Sequence, residues 1–296
     1  MKPGKQIGNY KVLAELGTGA ASKLYAVQDP KSKQVWALKR VVKKNPKDQR
    51  FLDQTEREAE VGSKVNHPNV RKVYKLIRVK KLLKTVEMHL LMELVDGISA
   101  ELHPAPTLGR MLHIWTQVAD GLAHMHQIGW VHADMKPHNI IVTESDVAKI
   151  IDLGQSCRVG TIKERIQGTP DYIAPEQVHR RAITPATDIY NFGASVYWSL
   201  TGKHIPTALA RGNSLISGAQ DDHLIERPVP PVELVPGTPE LLNALILQCV
   251  EVDVNKRPDS MADIRDTLAE ILEGLSESER DMPVQQRSAS ANSTSG

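Results

Sequence analysis

One short polar segment, bounded on both sides by apolar runs, constrains this chain more than any other. The segment reads His132-Ala133-Asp134-Met135-Lys136-Pro137-His138-Asn139, and it lies between Trp130-Val131 and Ile140-Ile141-Val142. Short apolar runs of that kind are typical of buried strands, so we expect the polar residues on a loop fixed at both ends. Pro137 stiffens the loop because its ring fixes one backbone dihedral angle. A rigid loop that presents Asp134, Lys136 and Asn139 together suits an active site better than a surface turn.

Composition excludes several other classes of protein. The 296 residues carry 37 basic and 35 acidic side chains, so nothing favours a nucleic-acid-binding or membrane-surface protein. Two cysteines, Cys157 and Cys249, cannot form a disulfide framework and lack metal-ligand spacing. The N-terminus has no signal-peptide core, and no apolar run reaches transmembrane length. We therefore expect a reduced, cytoplasmic setting with no nucleic-acid or membrane partner.

The first forty residues predict strands around a glycine-rich loop. Strands are expected at Tyr10–Leu13, Lys23–Val27 and Val35–Lys39, and the loop reads Leu16-Gly17-Thr18-Gly19-Ala20-Ala21-Ser22-Lys23-Leu24. Its two glycines let the backbone turn tightly and bring N–H groups close to an anion such as a phosphate. A glycine-rich hairpin without a ligand is the alternative. Because a strand rather than a helix follows, the loop does not fit a dinucleotide-binding fold, and the third strand ends on Lys39.

Helical periodicity appears once in the first third of the chain and repeatedly after residue 107. The early helix is predicted over residues 44–64 and ends before His67-Pro68-Asn69. Later helices are expected at 107–127, from Thr184-Pro185 to Gly202, from Thr238 to Cys249, and after Pro258. From Ser276 the composition is Ser, Glu, Gln and Asn, which predicts a disordered tail over 276–296.

Between the early helix and residue 97 the chain is first basic and then apolar. Residues 71–84 hold seven basic side chains and no acid, which indicates either two strands joined by a solvated basic turn or a docking surface for an acidic partner. Residues 90–97 read as a buried strand that enters a polar connection marked by Gly97.

Taken together, these motifs resemble the protein kinase family in its Ser/Thr branch, and compact bacterial Ser/Thr protein kinases in particular. The resemblance covers about residues 10–273, and its motifs occur in the family's order: the glycine-rich loop, Lys39, the loop at 132–139, Asp152-Leu153-Gly154, Ala174-Pro175-Glu176, Asp188 and Arg257. It implies a bilobal α+β fold, with a small, mainly antiparallel β N-lobe that holds one key helix and a larger, mainly helical C-lobe. The implied boundaries are an extension at 1–9, an N-lobe at 10–92, a hinge at 93–97 and a C-lobe at 98–275.

The resemblance also implies a role for each site residue. Asp134 would be the catalytic base, Lys136 would neutralise charge on the γ-phosphoryl group, and Lys39, oriented by Glu58, would hold the α/β-phosphates. Glu60 is the alternative partner of Lys39. Asn139 and Asp152 would hold Mg²⁺, or Mn²⁺ in its place. The ATP-binding residues would be the loop Leu16 to Leu24, Ala37, Lys39, Met92, the backbone of Glu93 and Val95, and Ile141.

Further residues of the resemblance are structural or indicate the substrate. Asp188 would steady the catalytic loop, and Glu176 would pair with Arg257. Lys136, with Thr169 able to contact it and Asp134, is typical of kinases that act on Ser or Thr. His124, His126 and His132 suggest a metal site in isolation, but the family has packing histidines at the positions of His126 and His132.

The chain departs from the family pattern at several positions. Ser22 and Leu24 replace the third glycine and a valine of the glycine-rich loop, and Leu153 replaces a phenylalanine in an apolar packing role. Ala133 replaces the arginine that often receives an activation-segment phosphate, so we expect that phosphorylation of Ser156 or Thr161 is not the switch. Gly62 replaces a bulky apolar residue one turn after Glu58, which predicts a loosely held helix, an activating partner there, and higher basal activity for Gly62→Leu.

Two alternatives to a protein kinase remain at this point. A pseudokinase, meaning a nucleotide-binding scaffold module of the same fold without chemistry, is left open by Gly62. A small-molecule phosphotransferase that shares the catalytic loop is disfavoured by the segment at 174–176, Asp188 and Arg257. Ser288, Ser290 and Ser293 are either autophosphorylation sites or part of a plain tail. The sequence leaves the protein substrates and the oligomeric state open.

Overall fold

Six strands in the first hundred residues form one antiparallel sheet. In this computed structural model, which describes residues 4–209 and 221–284, the sheet's strands are β1 (Gln6–Ile7), β2 (Tyr10–Thr18), β3 (Ser22–Gln28), β4 (Val35–Val42), β5 (Val73–Lys81) and β6 (Lys84–Met92). Their order is β1-β2-β3-β4-β6-β5. Val12, Val27 and Leu38 are fully buried beneath it. Ile7 packs in the same cluster, so the sheet begins before the predicted start at Tyr10.

One helix packs with this sheet. A short 3-10 turn (Pro46–Asp48), capped by Asn45, leads into α1 (Gln49–Gly62), where the sequence predicts a single helix over 44–64. The buried positions of α1 recur at helical spacing, and they include Glu58 as well as Leu52, Thr55 and Val61. A carboxylate on the buried face of a helix requires partners, and these belong to the site described below.

The chain divides into two compact units, and the first is discontinuous. It comprises Met1–Gly97 with Lys149–Ser156, and the second comprises Ile98–Ala148 with Cys157–Gly296. The inserted segment joins the first unit through Ile150, which accepts from the Arg71 amide at 2.9 Å and donates to the Asn69 carbonyl at 2.8 Å. Residues 149–156 therefore differ from the sequence prediction, which assigns them to the C-lobe.

The second unit is mainly helical, as the helical periodicity predicts. Its helices are α2 (Leu108–Gln127), α3 (Pro175–Val178), α4 (Pro185–Thr201), α5 (Pro231–Leu234), α6 (Glu240–Cys249), α7 (Met261–Gly274) and α8 (Glu277–Arg280). Thr107 caps α2, and Gly202 ends α4 with a φ of +71°, a backbone conformation that favours glycine. Helix α2 packs against α7 and α4 packs against α6.

Short strands complete the fold and fix its loops. They are β7 (Ile98–Ser99), β8 (Trp130–Val131), β9 (Ile140–Val142), β10 (Ala148–Ile150), β11 (Cys157–Arg158), β12 (Thr161–Ile162) and β13 (Ala182–Ile183). Single-turn 3-10 helices lie at Pro137–Asn139, Leu153–Gln155, Asp222–Leu224 and Val254–Lys256. Strand β8 pairs with β11, β12 with β13, and β7 with β9. The predicted rigid loop thus lies between β8 and β9.

The basic stretch begins two strands joined by a turn, as predicted, but the turn is apolar rather than basic. Strand β5 runs to Lys81, a two-residue turn follows, and β6 runs from Lys84 to Met92, so the second strand lies almost wholly beyond the stretch. The leucines at 82 and 83 form that turn and contribute nothing to a strand. A pattern of alternating basic and apolar residues does not tell a strand end from a turn when the turn itself is apolar.

The predicted disordered tail is wrong for residues 276–284. Ser276 caps α8, and the chain then pairs with the start of α2: Leu108 donates to the Met282 carbonyl at 2.9 Å and Val284 donates to the Pro106 carbonyl at 3.1 Å. Leu275 and Val284 are both buried. Polar composition predicts disorder, but these two apolar residues anchor the segment between them. Ser288, Ser290 and Ser293 lie outside the described residues.

Within the described part of the chain, no helix combines the length and the apolar character needed to cross a membrane.

Candidate active site

In the first unit, Lys39 and Glu58 form a buried ion pair. Lys39 Nζ on β4 lies 2.7 Å from Glu58 Oε2 on α1, and the Glu58 side chain is 1% exposed. Burial alone lowers the pKa of Lys39, but the carboxylates of Glu58 and Asp152 outweigh it and raise the pKa above its usual value. Lys39 therefore stays charged at physiological pH. The alternative partner, Glu60, is exposed and pairs with Lys64 instead.

Arg71 supplies a second cation to the same carboxylate. Its Nη2 atom lies 3.2 Å from Glu58 Oε1, and both side chains are buried. Each oxygen of Glu58 thus has its own cationic donor, which a carboxylate buried on a helix needs if it is to stay ionised. This contact could not be predicted from the sequence because Arg71 is the first of seven bases in a stretch that otherwise looks solvated. The available signal was its place directly after the apolar residue Val70.

The space beside Gly62 is filled by a neighbouring side chain, so the premise that nothing packs there is wrong. A Cβ atom at Gly62 would lie 2.2 Å from Val73 Cγ2 and 2.7 Å from Val73 Cβ. The Val73 side chain on β5 therefore occupies the position where a larger residue on α1 would pack. Gly62→Leu is expected to disrupt this contact and not to raise basal activity. The basis for an activating partner at α1 disappears with it.

The glycine-rich loop is the β2–β3 hairpin. Gly17 lies opposite Leu24 and Thr18 opposite Lys23, and the Gly19 amide donates to the Ser22 carbonyl at 2.8 Å. Glu15 joins the two strands by accepting from Lys23 Nζ at 2.8 Å, and this hydrogen bond is the main cause that lowers the pKa of Glu15 to about 2. The remaining predicted loop residues, Leu16, Ala20 and Ala21, continue the same hairpin.

The predicted adenine-binding residues of the first unit lie on neighbouring strands. Ala37 on β4 is opposite Met92 at the end of β6, and both are buried. The Glu93 amide donates to the Lys72 carbonyl at 2.9 Å, and the Glu93 carboxylate pairs with Lys149 at 2.7 Å. What Glu93 can offer an adenine is therefore its carbonyl oxygen. Val95 follows in the polar connection, and Ile141 lies on β9 of the second unit.

Asp152 has a backbone conformation that is rare for a residue with a side chain. Its φ is +60°, and its Oδ1 atom accepts from the Gly154 amide at 3.3 Å. The same atom lies 3.8 Å from Lys39 Nζ, while the side chain as a whole is half exposed. Strained, partly exposed acids of this kind mark functional sites.

In the second unit, the predicted base belongs to a three-membered cluster. Thr169 Oγ1 donates to Asp134 Oδ1 at 2.8 Å, and Lys136 Nζ lies 2.6 Å from Thr169 Oγ1 and 3.2 Å from Asp134 Oδ2. Asn139 Nδ2 donates to the Asp134 carbonyl at 2.9 Å. Thr169 therefore makes the contacts expected of it, and the Asn139 amide is turned so that its oxygen is the atom that can ligate a cation.

Asp188 holds the backbone of this loop. Its fully buried carboxylate accepts the amides of His132 and Ala133, each at 2.7 Å, and contacts a ring nitrogen of His126 at 2.8 Å. Ala133 has a φ of +62°, and Gln177 Nε2 donates to its carbonyl at 2.9 Å. The loop conformation is thus imposed by neighbours and not by a glycine.

Glu176 and Arg257 form the other ion pair that the resemblance implies. Two parallel hydrogen bonds of 2.8 and 3.0 Å join them, and Arg257 also donates to the Ala186 carbonyl at 2.7 Å. Both side chains are buried. This bidentate pair connects α3 with the loop that precedes α7.

The residues present fit a divalent cation that is completed by phosphates. Asn139 and Asp152 offer amide and carboxylate oxygens, the donors that Mg²⁺ prefers. In residues 4–209 and 221–284, no three His, Cys, Asp or Glu side chains gather as a metal site.

Comparisons with known proteins assign the chain to a family. The family model for the protein kinase domain matches residues 10–269, and the chain therefore belongs to the protein kinase domain family. The α+β kinase fold expected from the sequence is confirmed.

The similar curated proteins are bacterial serine/threonine-protein kinases. A probable one from Clostridium acetobutylicum is 28% identical over 270 residues, covering 88% of this chain and 40% of its own length. PrkC of Bacillus subtilis is 28% identical over 274 residues with the same two coverages, and PknD of Chlamydia pneumoniae is 27% identical over 301 residues, 90% and 31%. The chain thus spans two fifths or less of the length of these relatives.

Proposed function

We propose that this protein is a serine/threonine protein kinase that transfers the γ-phosphoryl group of ATP to Ser or Thr hydroxyls of protein substrates. The observation that carries the proposal is the cluster of Asp134, Lys136 and Thr169. A carboxylate that is held by an ammonium group and a hydroxyl has a fixed direction, as a base that must meet a substrate hydroxyl requires.

The chemistry proposed for each residue is the role that the family resemblance implies, and the contacts of these residues support it. Mg²⁺-bound ATP supplies the phosphoryl group and the cation that neutralises its charge, with Asn139 and Asp152 as the protein ligands. Lys39 binds the α/β-phosphates and is kept in place by Glu58. Asp134 accepts the proton of the attacking hydroxyl as the new oxygen–phosphorus bond forms and the bond from the γ-phosphorus to the departing ADP oxygen breaks. Lys136 stabilises the charge on the group in transfer.

Nucleotide binding rests on the first unit. The backbone of the hairpin from Leu16 to Leu24 covers phosphates, while Ala37 and Met92 contact the adenine. The Glu93 carbonyl and the Val95 amide are the polar groups proposed for its edge. Ile141 is proposed as a further apolar residue for the adenine. Mn²⁺ is proposed as an alternative ion because it takes the same oxygen ligands.

A phosphoryl-transfer assay tests the proposal. The full chain is incubated with radiolabelled ATP, Mg²⁺ and a generic basic protein, and modified residues are mapped by mass spectrometry, including Ser288, Ser290 and Ser293. Asp134→Asn is the matched control, because it keeps the shape of the side chain and removes the base. We expect label on Ser or Thr with the native chain and a loss of at least about 100-fold in the variant.

A nucleotide-binding measurement separates the enzyme from a scaffold module. Thermal stabilisation by ATP and Mg²⁺ without any transfer, equal in the native chain and Asp134→Asn, would contradict the proposal and leave a pseudokinase. A small-molecule phosphotransferase would show transfer that depends on a non-protein acceptor.

A further inference from the structure

The residues that form the turn between β5 and β6 do not suit its backbone conformation. Leu82 and Leu83 form it, and their exposures of 93% and 95% are the largest among the exposed apolar residues of the described chain. Two-residue hairpin turns normally use Gly, Asn or Asp, and Leu82 adopts a φ of +54°, which those residues tolerate and leucine resists. Neither leucine packs anything that would explain its presence.

The lysines behind the turn add a second local conflict. In the hairpin register Lys81 lies directly opposite Lys84, and Lys80 precedes Lys81 on the same strand. Like charges placed opposite each other destabilise a strand pair. The first acid beyond them on β6 is Glu87, which is already held by Arg40 through bonds of 2.6 and 2.8 Å. The lysines therefore present net positive charge around an apolar tip.

One kind of binding surface would stabilise both the exposed leucines and the facing lysines. We propose that the hairpin tip Lys80–Lys84 is a docking site for an anionic lipid bilayer. The two leucines would enter the acyl boundary, and the three lysines would reach the phosphate groups with their apolar stems along the leucines. Departures from local sequence rules that cluster in five residues are expected at a functional site.

A bilayer fits the shape of this site better than an acidic protein does. The apex of a two-residue turn is convex, so a protein partner would need a pocket that receives both leucines, whereas lipid accommodates a protruding tip directly. The near-neutral net charge of +2 argued against a membrane partner, but it averages over the chain and conceals this patch. The inference does not depend on the proposed kinase activity, because binding needs no ATP.

Vesicle flotation of the full chain tests the proposal. Vesicles of phosphatidylcholine alone are compared with vesicles in which about one third is phosphatidylglycerol, at low and high salt. We expect binding only to the anionic vesicles, reduced by salt. Leu82→Asn with Leu83→Gly should reduce the partition coefficient about tenfold or more. These two residues suit the turn, so the variant should fold at least as well as the native chain.

Charge is tested separately, with a control hairpin in the same sheet. The combined substitutions Lys80→Gln, Lys81→Gln and Lys84→Gln should reduce binding, each lysine contributing about fivefold. Lys31→Gln with Lys33→Gln, in the β3–β4 turn, should leave binding unchanged. Leu83→Trp should show a blue-shifted fluorescence when anionic vesicles are added.

Three outcomes would overturn the proposal. The first is that the native chain fails to bind anionic vesicles. The second is that the leucine variant binds as tightly as the native chain, which would mean simple electrostatic adsorption. The third is that a soluble acidic peptide, such as polyglutamate, binds the tip with both leucines required and displaces no lipid, which would identify an acidic protein as the partner.

Discussion

At the scale of single residues, two buried carboxylates organise the candidate site, one in each unit. Glu58 receives cations from both Lys39 and Arg71, and Asp188 receives two backbone amides and a histidine. Neither touches the reacting groups in the proposed mechanism. Each instead holds something that does, namely Lys39 and the backbone of the Asp134 loop. Replacing them should therefore reveal how much precise positioning matters.

Asp188→Asn should unfold the protein more easily. The new side-chain amide directs an N–H group at a backbone N–H that the carboxylate accepts in the native protein. The backbone at Ala133, which has a positive φ, therefore loses one of the hydrogen bonds that hold it. We expect a loss of about 3 kcal/mol in the free energy of unfolding, measured by urea denaturation. The control is Asp146→Asn, whose exposed carboxylate pairs with Arg110 at 2.8 Å and should cost under about 1 kcal/mol. Equal losses for the two variants would refute this account of the loop.

Arg71→Met should reduce catalysis through Glu58. Without the second cation one oxygen of a buried carboxylate loses its donor, and Glu58 no longer holds Lys39 in one position. We expect kcat/KM to fall about tenfold or more. The double variant Arg71→Met with Glu58→Gln should be no worse than Glu58→Gln alone, because Arg71 acts through that residue.

The matched control for Arg71→Met is Arg78→Met, on β5. Arg78 pairs with Glu56 at 2.6 Å, but both side chains are nearly half exposed. We expect its kinetic constants to remain within about twofold of the native values. A similar loss for Arg78→Met, or additive losses in the double variant, would show that Arg71 has only a general structural role.

At the scale of secondary-structure elements, α1 is fixed to the sheet by a close approach at its last residue. Gly62→Ala would gain helix propensity, but its new Cβ atom would lie 2.2 Å from Val73 Cγ2 and force Val73 to move, which makes the net effect unfavourable. We expect a net loss of about 1–3 kcal/mol in stability and no gain in activity. Val73→Ala in the same chain removes the nearer atom and should restore part of the loss. Higher activity for Gly62→Ala would restore the original hypothesis of a loosely held helix.

The segment that carries Ser156 and Thr161 is held by strand pairing and apolar contacts. Cys157 pairs with Val131 and Thr161 with Ile183, and Ala133 packs in the same cluster where the family often has an arginine. Ser156 is fully buried, so a phosphate could reach it only after local unfolding. We expect Thr161→Ala to keep kinase activity within about twofold. Ser156→Ala should keep it too once its folding is verified by thermal denaturation. A large loss in Thr161→Ala would contradict this.

Most of the elements could be predicted because their signals are local. Thr107, Thr184 and Gly202 mark helix ends whose capping chemistry lies within a few residues. What could not be predicted depends on distant partners. Arg71 is buried because a carboxylate 13 residues earlier faces it, and Gly62 is filled by a side chain on another element. Periodicity and composition contain no information about either.

The candidate site shows the same division. The resemblance supplies the residue types of the catalytic loop, and the structure places Asp134, Lys136 and Thr169 in contact as expected. The sequence could not supply the geometry that limits those residues. The Glu93 amide, for example, is already bonded within its own unit. Its hydrogen-bond partner is set by how two strands end side by side.

At the scale of the whole molecule, the folded region extends beyond residue 275, where the composition predicts that it ends. Residues 276–284 return to the start of α2, where Thr107 and Pro283 form an isolated bridge and the amides of Leu108 and Val284 find carbonyl partners. The family match ends at residue 269, so this segment lies beyond it. It covers the N-terminal end of α2 in the second unit. The approach is close, because a Cβ atom added at Gly109 would lie 3.1 Å from the Arg280 carbonyl oxygen.

Truncation experiments test whether this segment is part of the folded domain. A chain that ends at Leu275 loses the buried Val284 side chain and at least two backbone hydrogen bonds, so its free energy of unfolding should fall by about 2–3 kcal/mol. For a unit of this size, that corresponds to a decrease of about 5–10 °C in Tm. A chain that ends at Val284 is the matched control and should keep the native Tm. Val284→Ser in the full chain should reproduce part of the loss, because it keeps the backbone bonds and removes only the apolar anchor. If the two truncated chains melt at the same temperature, the contacts of residues 276–284 contribute nothing to stability and the domain ends at Leu275.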